Sequence, residues 1–500
     1  SARFVALGEG GVMGVLRAWL AAFGVPALPE VAGGEDYRAN VDLCVRSYLD
    51  VAWDDAAEGW HHTLSDPWGP RYEAHLANQL WRYARWSQAD AGLAARARDQ
   101  VARGVRRGQQ VAAAAEKPRH APHPDLALVY GDVSNALTTL AGTAATLLAE
   151  QQADGSWPWQ PDVVAGGEQY HTEDRLALMG REHDSATGFT ASKVRPVLQY
   201  ALLTGDRAAV AAVLRAADWC NTQRRPEGAQ TWELHLHVPD VLAAPYLIDL
   251  NLGAYELTGD ERYLDAATHW AWTGLPFTYL WHAYYRPIML YGTVPVFGVT
   301  FHDVQSWFGV IVQWNGLVYA DALFRLARYR PADGPADWQH IAEGITRHGM
   351  QEQMRAGPHL GMYPDAFSPV RGDEEYTWWL NPQLVGLNTF SLAGLPLDLD
   401  PVVLRDESGA VHITSGAVLR DATRVEGGTL VLDLEDQPAA SSVTLIAGRG
   451  KPARCTCGDE PLPEVVDLDA APQGWQWLAE HHVAAIKVRF DTPQKTVSVV

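Results

Sequence analysis

A chain of 500 residues with 47% apolar content is too long for one ordinary core, so one large and one small folded unit are expected. Its 39 Lys and Arg against 60 Asp and Glu give a net charge of −21, which excludes nucleic acid and anionic membranes as general partners. Four cysteines are too few for a disulfide framework, and no apolar run of about 18 residues is present to insert into a membrane.

From the N-terminus, apolar residues at helical spacing predict helices over 9–23, 36–52, 73–88, 90–114 and 130–152. The chain opens at Ser1, and Arg17 breaks the apolar stretch near the start, so a removed signal peptide or an upstream domain is expected. Next comes a repeat: "QYALLTGDRAAVAAVLRAADWC" returns as "GAYELTGDERYLDAATHWAW", with Asp206 and Asp260 at matching turns. In each copy Gly suits the left-handed residue that ends a helix, and Asp suits the N-cap of the next, so the unit is a helical hairpin. Weaker echoes lie near Asp90 and Asp333. Helices are predicted over 187–204, 206–222, 239–258, 260–273, 302–312, 314–329 and 335–354, with 381–394 competing for a place. Twelve helices in six hairpins is the count of an (α/α)6 toroid, spanning 1–395. Loops 52–72, 153–186 and 274–301 are too long for a compact helical domain unless they are functional. Residues 400–500 switch to short alternating runs such as "GTLVLDLED" and "AAIKVRFDT", predicting a small antiparallel β-sandwich-like domain that packs on the toroid and supplies stability. Cys455 and Cys457 are expected in a turn there, binding no metal; their Cys-Thr-Cys spacing is tighter than that of zinc or redox sites.

"QQADGSWPW" places Gln151, Gly155 and Trp157 in the Q-x-x-x-G-x-W spacing found in triterpene cyclases, where it ties a helix end to a neighbouring turn. The acidic Asp-x-Asp-Asp of those cyclases is absent. With the "ELTGDERYL" hairpins and the "DGSW" turn, segment 130–355 resembles the six-hairpin glycosidase superfamily. The resemblance is architectural and matches no single family's catalytic signature. It implies an enzyme acting on an oligo- or polysaccharide at the wide end of the toroid, often with a carboxylic acid as proton donor. It implies no cofactor, and a secreted, cell-surface or periplasmic location.

Twenty Trp fit a sugar-binding protein, because indole faces stack on sugar C–H faces. Glycoside hydrolysis needs a protonated acid at the leaving oxygen and a second carboxylate. Glu233, between Trp232 and Leu234, ranks first as the acid; Asp184 in "REHDSATGF" ranks below it, since it can equally cap the helix beginning near Thr187. Glu375 or Asp365, in "MYPDAFSPVRGDEEYTWWLNP", is the candidate second carboxylate. His61, Trp157, His235, His237, Trp281, Arg286, Trp307, Trp314, Tyr376 and Trp378 are candidate substrate-binding residues. His235 and His237 alone make weak metal ligands, so no metal is expected. Two rival readings stay open. "TYLWHAYYRP" offers His282, Tyr284 or Tyr285, and Arg286 for a lyase that eliminates across a uronate, and the carboxylates could merely hydrogen-bond glycan on a non-catalytic surface protein.

Overall fold

The computed structural model describes residues 11–64, 69–110, 133–160, 172–282, 289–300, 306–375, 378–395, 399, 401–407 and 409–500. Among these residues are thirteen α-helices: α1 Gly11–Phe23, α2 Arg38–Asp50, α3 Ala74–Tyr83, α4 Ala91–Gln110, α5 Val133–Glu150, α6 Glu173–Met179, α7 Thr187–Thr204, α8 Arg207–Asn221, α9 Ala243–Thr258, α10 Glu261–Gly274, α11 Gln313–Ala327, α12 Trp338–Glu352 and α13 Gln383–Leu392. Four pairs are hairpins: α3/α4, α7/α8, α9/α10 and α11/α12. Neighbouring pairs meet through their first helices, α7 on α9, α9 on α11, α11 on α13 and α13 on α3.

Burial separates the two rings. Every residue from Ala243 to Ala254 of α9 is buried, as is every residue from Gln383 to Phe390 of α13. Helix α8 instead buries one stripe, Ala209, Ala212, Val213, Ala216, Ala217 and Cys220. A helix apolar all round belongs inside, and an amphipathic one outside. The result is the inner and outer ring of an (α/α)6 toroid.

The repeat works as its sequence suggests. Gly205 and Gly259 end α7 and α9 in the left-handed region, at φ of 65° and 73°. Asp206 then accepts from the Ala209 N–H at 2.9 Å, and Asp260 from that of Arg262 at 3.0 Å. In the later echo, Asp337 and not Asp333 caps α12, accepting from His340 N–H at 2.9 Å; Asp333 takes the Trp272 indole N–H at 2.7 Å. Tight turns follow the inner helices, so the long connections before α7, α9, α11 and α13 collect at the other end of the ring.

Two helical assignments differ from the sequence reading. The stretch predicted as helix over 302–312 is, among its described residues 306–312, a turn and two bridges. Gly309 turns the chain at φ 77°, and Ile311 pairs with Phe367. The inner position goes instead to α13, the competing closing segment. Loop 153–186 carries the short α6, whose seven residues offer too little periodicity to be seen.

Besides two-residue ladders in the helical part, the strands of the C-terminal part are β1 Val402–Asp406, β2 Gly409–Ser415, β3 Val418–Arg424, β4 Leu430–Glu435, β5 Ser441–Ala447, β6 Cys455–Cys457, β7 Glu460–Leu462, β8 Gly474–Leu478, β9 Val483–Arg489 and β10 Gln494–Val499. They form two antiparallel sheets, β8-β9-β5-β2-β1 and β3-β4-β10-β6-β7. Ile413, Ile446 and Ile486 of the first meet Leu430, Leu432 and Val497 of the second in a sandwich core. The other face of the first sheet, with Val443, Leu445 and Ala485, joins the helical core. His412 Nδ1 lies 2.7 Å from the Leu202 carbonyl, and Arg405 donates to that of Leu257 at 3.2 Å. The sandwich therefore sits against the tight-turn end. Cys455 and Cys457 lie in strand β6, not in a turn, because Cys455 alternates into the sandwich core opposite Leu462 and Val499. No helix among the described residues is long and apolar enough to cross a membrane.

Candidate active site

Three connections at the long-loop end converge. In the one before α9, buried Asp240 accepts from Ala229 N–H at 3.0 Å and Ala243 N–H at 3.1 Å, closing the segment on itself. Leu234 and Leu236 face inward, and the Leu236 N–H donates to the Met179 carbonyl at 2.7 Å. Glu233 is left beside these anchors, partly accessible to water. In the connection before α13, Tyr363–Pro364 pairs with Trp379–Leu380, and the Asp365 N–H donates to the Trp378 carbonyl at 2.9 Å. In the connection before α11, Trp307 sinks among Leu234, Val296, Val312 and Ala366. This apolar cluster draws residues from all three segments and brings Glu233 and Asp365 into one electrostatic neighbourhood.

Indoles surround the two carboxyls. Trp307 Nε1 donates to Glu233 Oε2 at 3.0 Å. Trp232 also donates to Glu233, and Trp314, the second residue of α11, donates to Asp365. The Trp232 and Trp314 rings stack, with centroids 6.2 Å apart and planes 29° apart. Burial pushes the Glu233 carboxyl up to about 8, against the Trp307 hydrogen bond and with help from the negative charge of Asp365. Burial raises Asp365 less, to about 6, and the Trp314 hydrogen bond opposes it. Burial thus favours a proton on Glu233 more strongly than on Asp365. Indole N–H groups only donate, so none of these tryptophans can take the proton from Glu233.

The remaining candidates separate. Asp184 and His237 come together elsewhere: His237 Nε2 is 3.5 Å from Asp184 Oδ2, and its Nδ1 is 3.0 Å from Glu227 Oε1. Asp184 does not cap α7, whose preceding residue is Ala186. Glu375 pairs with Arg371 at 2.9 Å. Trp157 is fully buried with its indole N–H on the Leu147 carbonyl at 3.0 Å, so it has no face to offer a sugar. Its motif ties helices together, since Gln151 Nε2 donates to the Gly155 and Ala212 carbonyls, each at 2.9 Å. His61 lies 3.9 Å from Asp54, and His235 is partly buried. Trp281, His282 and Trp378 are exposed. Tyr284, Tyr285, Arg286 and Tyr376 lie outside the described residues.

Trp307 and Trp314 both reach the site, one from a turn and one from a helix start, so their seven-residue spacing is not what unites them. Trp232 was legible only as a neighbour of Glu233; its stacking partner is 82 positions away in sequence, beyond any local pattern.

No family model and no curated protein matches the chain. Among solved structures, the chain is similar to an unsaturated glucuronyl hydrolase specific for heparin at 13% identity, covering 72% of this chain and 96% of that one, with a TM-score of 0.41. A family 76 α-mannanase from Bacteroides thetaiotaomicron matches at 12% identity, 72% and 95% coverage and a TM-score of 0.41. Cellobiose 2-epimerase from Bacillus thermoamylovorans matches at 10% identity, 71% and 97% coverage and a TM-score of 0.44. These proteins have the six-hairpin glycosidase fold that the sequence resembles. At such scores and identities they say nothing about the chemistry of this chain.

Proposed function

We propose that the protein is a carbohydrate-active enzyme that hydrolyses glycosidic bonds in an oligo- or polysaccharide, with Glu233 as general acid and Asp365 as its ionised partner. The observation that carries this reading is the pair itself: two carboxyls in one indole-lined site, both raised by burial and Glu233 raised further than Asp365. Trp307 orients the carboxyl through Oε2, and the proton that Glu233 retains is the one donated to the leaving oxygen. Asp365 then either activates water or attacks the anomeric carbon, the two roles a second carboxylate plays in glycoside hydrolysis. The partly accessible faces of Trp232 and Trp314 suit the apolar side of a sugar ring. A glycan polymer as substrate fits a secreted or periplasmic location.

The test is reducing-end release across a glycan panel by the wild type, Glu233→Gln and Asp365→Asn. Each variant is expected to lose about a hundredfold or more in kcat, the usual worth of a positioned acid or base. Retention of activity within tenfold in both would remove the pair from the chemistry. Product absorbing in the near ultraviolet would mark elimination instead, and glycan binding without turnover would mark a binding protein.

A further inference from the structure

We propose that the stacked Trp232–Trp314 pair is a positioning unit of this site, in which Trp314 fixes Asp365, Trp232 fixes Glu233, and the contact of the two rings sets one carboxyl against the other. The idea deepens the proposed hydrolysis, and its kinetic arm rests on that reading.

Glu233 and Asp365 sit on separate connections 132 positions apart, and the apolar packing of their neighbours Leu234 and Ala366 brings those connections together but offers the carboxyls no hydrogen bond. Each carboxyl instead receives an indole N–H from a residue anchored nearby: Trp232 is the preceding residue of the same loop, and Trp314 belongs to the first turn of the inner helix α11. The two rings stack with their centroids 6.2 Å apart and their planes 29° apart. A rigid helix thus holds one indole, that indole holds the other, and the carboxyls hang from both. Hydrogen bonds to the ionised form favour it, so each indole also biases its carboxyl toward ionisation. The other groups acting on the pair are Trp307, which also donates to Glu233 Oε2 at 3.0 Å, Asp240 on Glu233's own loop, and Tyr363 beside Asp365, with Glu352 of α12 acting on Tyr363.

Phenylalanine keeps a stacking ring and deletes the N–H. In Trp314→Phe the acidic limb of kcat/KM against pH is expected to rise by about one pH unit with the alkaline limb in place, since Asp365 loses a donor that stabilised its charge. In Trp232→Phe the alkaline limb is expected to rise while the acidic limb stays. The double variant should raise both limbs together, because each lost N–H served its own carboxyl while the ring contact is kept. Limbs unmoved in both variants, with only KM increased, would overturn the proposal and leave the indoles as a sugar platform. A second arm needs no substrate. The indole N–H resonances of Trp314 and Trp232, assigned as the signals missing from each variant, are expected to titrate with pH in the wild type, and the Trp314 signal to stop titrating near pH 6 in Asp365→Asn. Indole signals flat from pH 4 to 9 would overturn the positioning claim whether or not a glycan is cleaved.

Discussion

At the scale of single residues, the account turns on what burial does to a carboxyl. Glu233 moves from an ordinary 4.5 to about 8, and Asp365 from 3.8 to about 6, with burial the largest cause for both. A carboxyl raised in the folded state supports folding fully below its ordinary value and loses that support as pH climbs through the raised value. Ionising the site therefore strains the native state. Glu233→Gln, which cannot ionise, is expected to melt about 1–3 °C above the wild type at pH 9 and to show no such gain at pH 4. Melting curves of both proteins across that range check it, and a difference independent of pH would contradict the assigned shift. Sequence alone already ranked Glu233 first, because a charge between Trp232 and Leu234 is out of place on a merely solvated surface. Asp365 was one of two candidates in its turn. What favours it over Glu375 is tertiary: Arg371 pairs with Glu375, while Trp314 arrives from another segment to meet Asp365.

At the scale of elements, the Thr-Gly-Asp turns were legible because capping is local chemistry, settled within four residues. Asp206→Ala and Asp260→Ala are each expected to cost about 1 kcal/mol of stability, the usual worth of an N-cap, with kcat unchanged. Both turns lie at the sandwich end, away from Glu233; denaturant melts and steady-state rates read the two halves of this expectation. A fall in kcat beyond the loss of folded protein would show that the ends are coupled. The stretch 302–312 misleads for the opposite reason. Its apolar residues fit a helical period, yet Trp307, Val310 and Ile311 are apolar because they fill the cluster beneath the carboxyls and pair with the 363–368 segment. Long-range packing and helical packing ask for similar residues, and only Gly309 signals the turn.

At the scale of the whole molecule, alternation of inner and outer helices sorts the connections by length. Short capped turns gather at one end, where β2 and β1 seat His412 and Arg405 against α7 and α9. Long connections gather at the other, where three of them supply Glu233, Trp307 and Asp365. The toroid and the alternating strands could be read from periodicity. The pairing of carboxyls could not, since it arises only when the ring closes those connections on one another. The pH dependence of kcat/KM for glycan cleavage tests the central claim most directly, because it reports the ionisations of the free enzyme. The account requires a bell with limbs near 6 and 8, Asp365 ionising on the acidic side and Glu233 losing its proton on the alkaline side. Activity undiminished from pH 8 to 10 would contradict it, since Glu233 would then be ionised while catalysis continued.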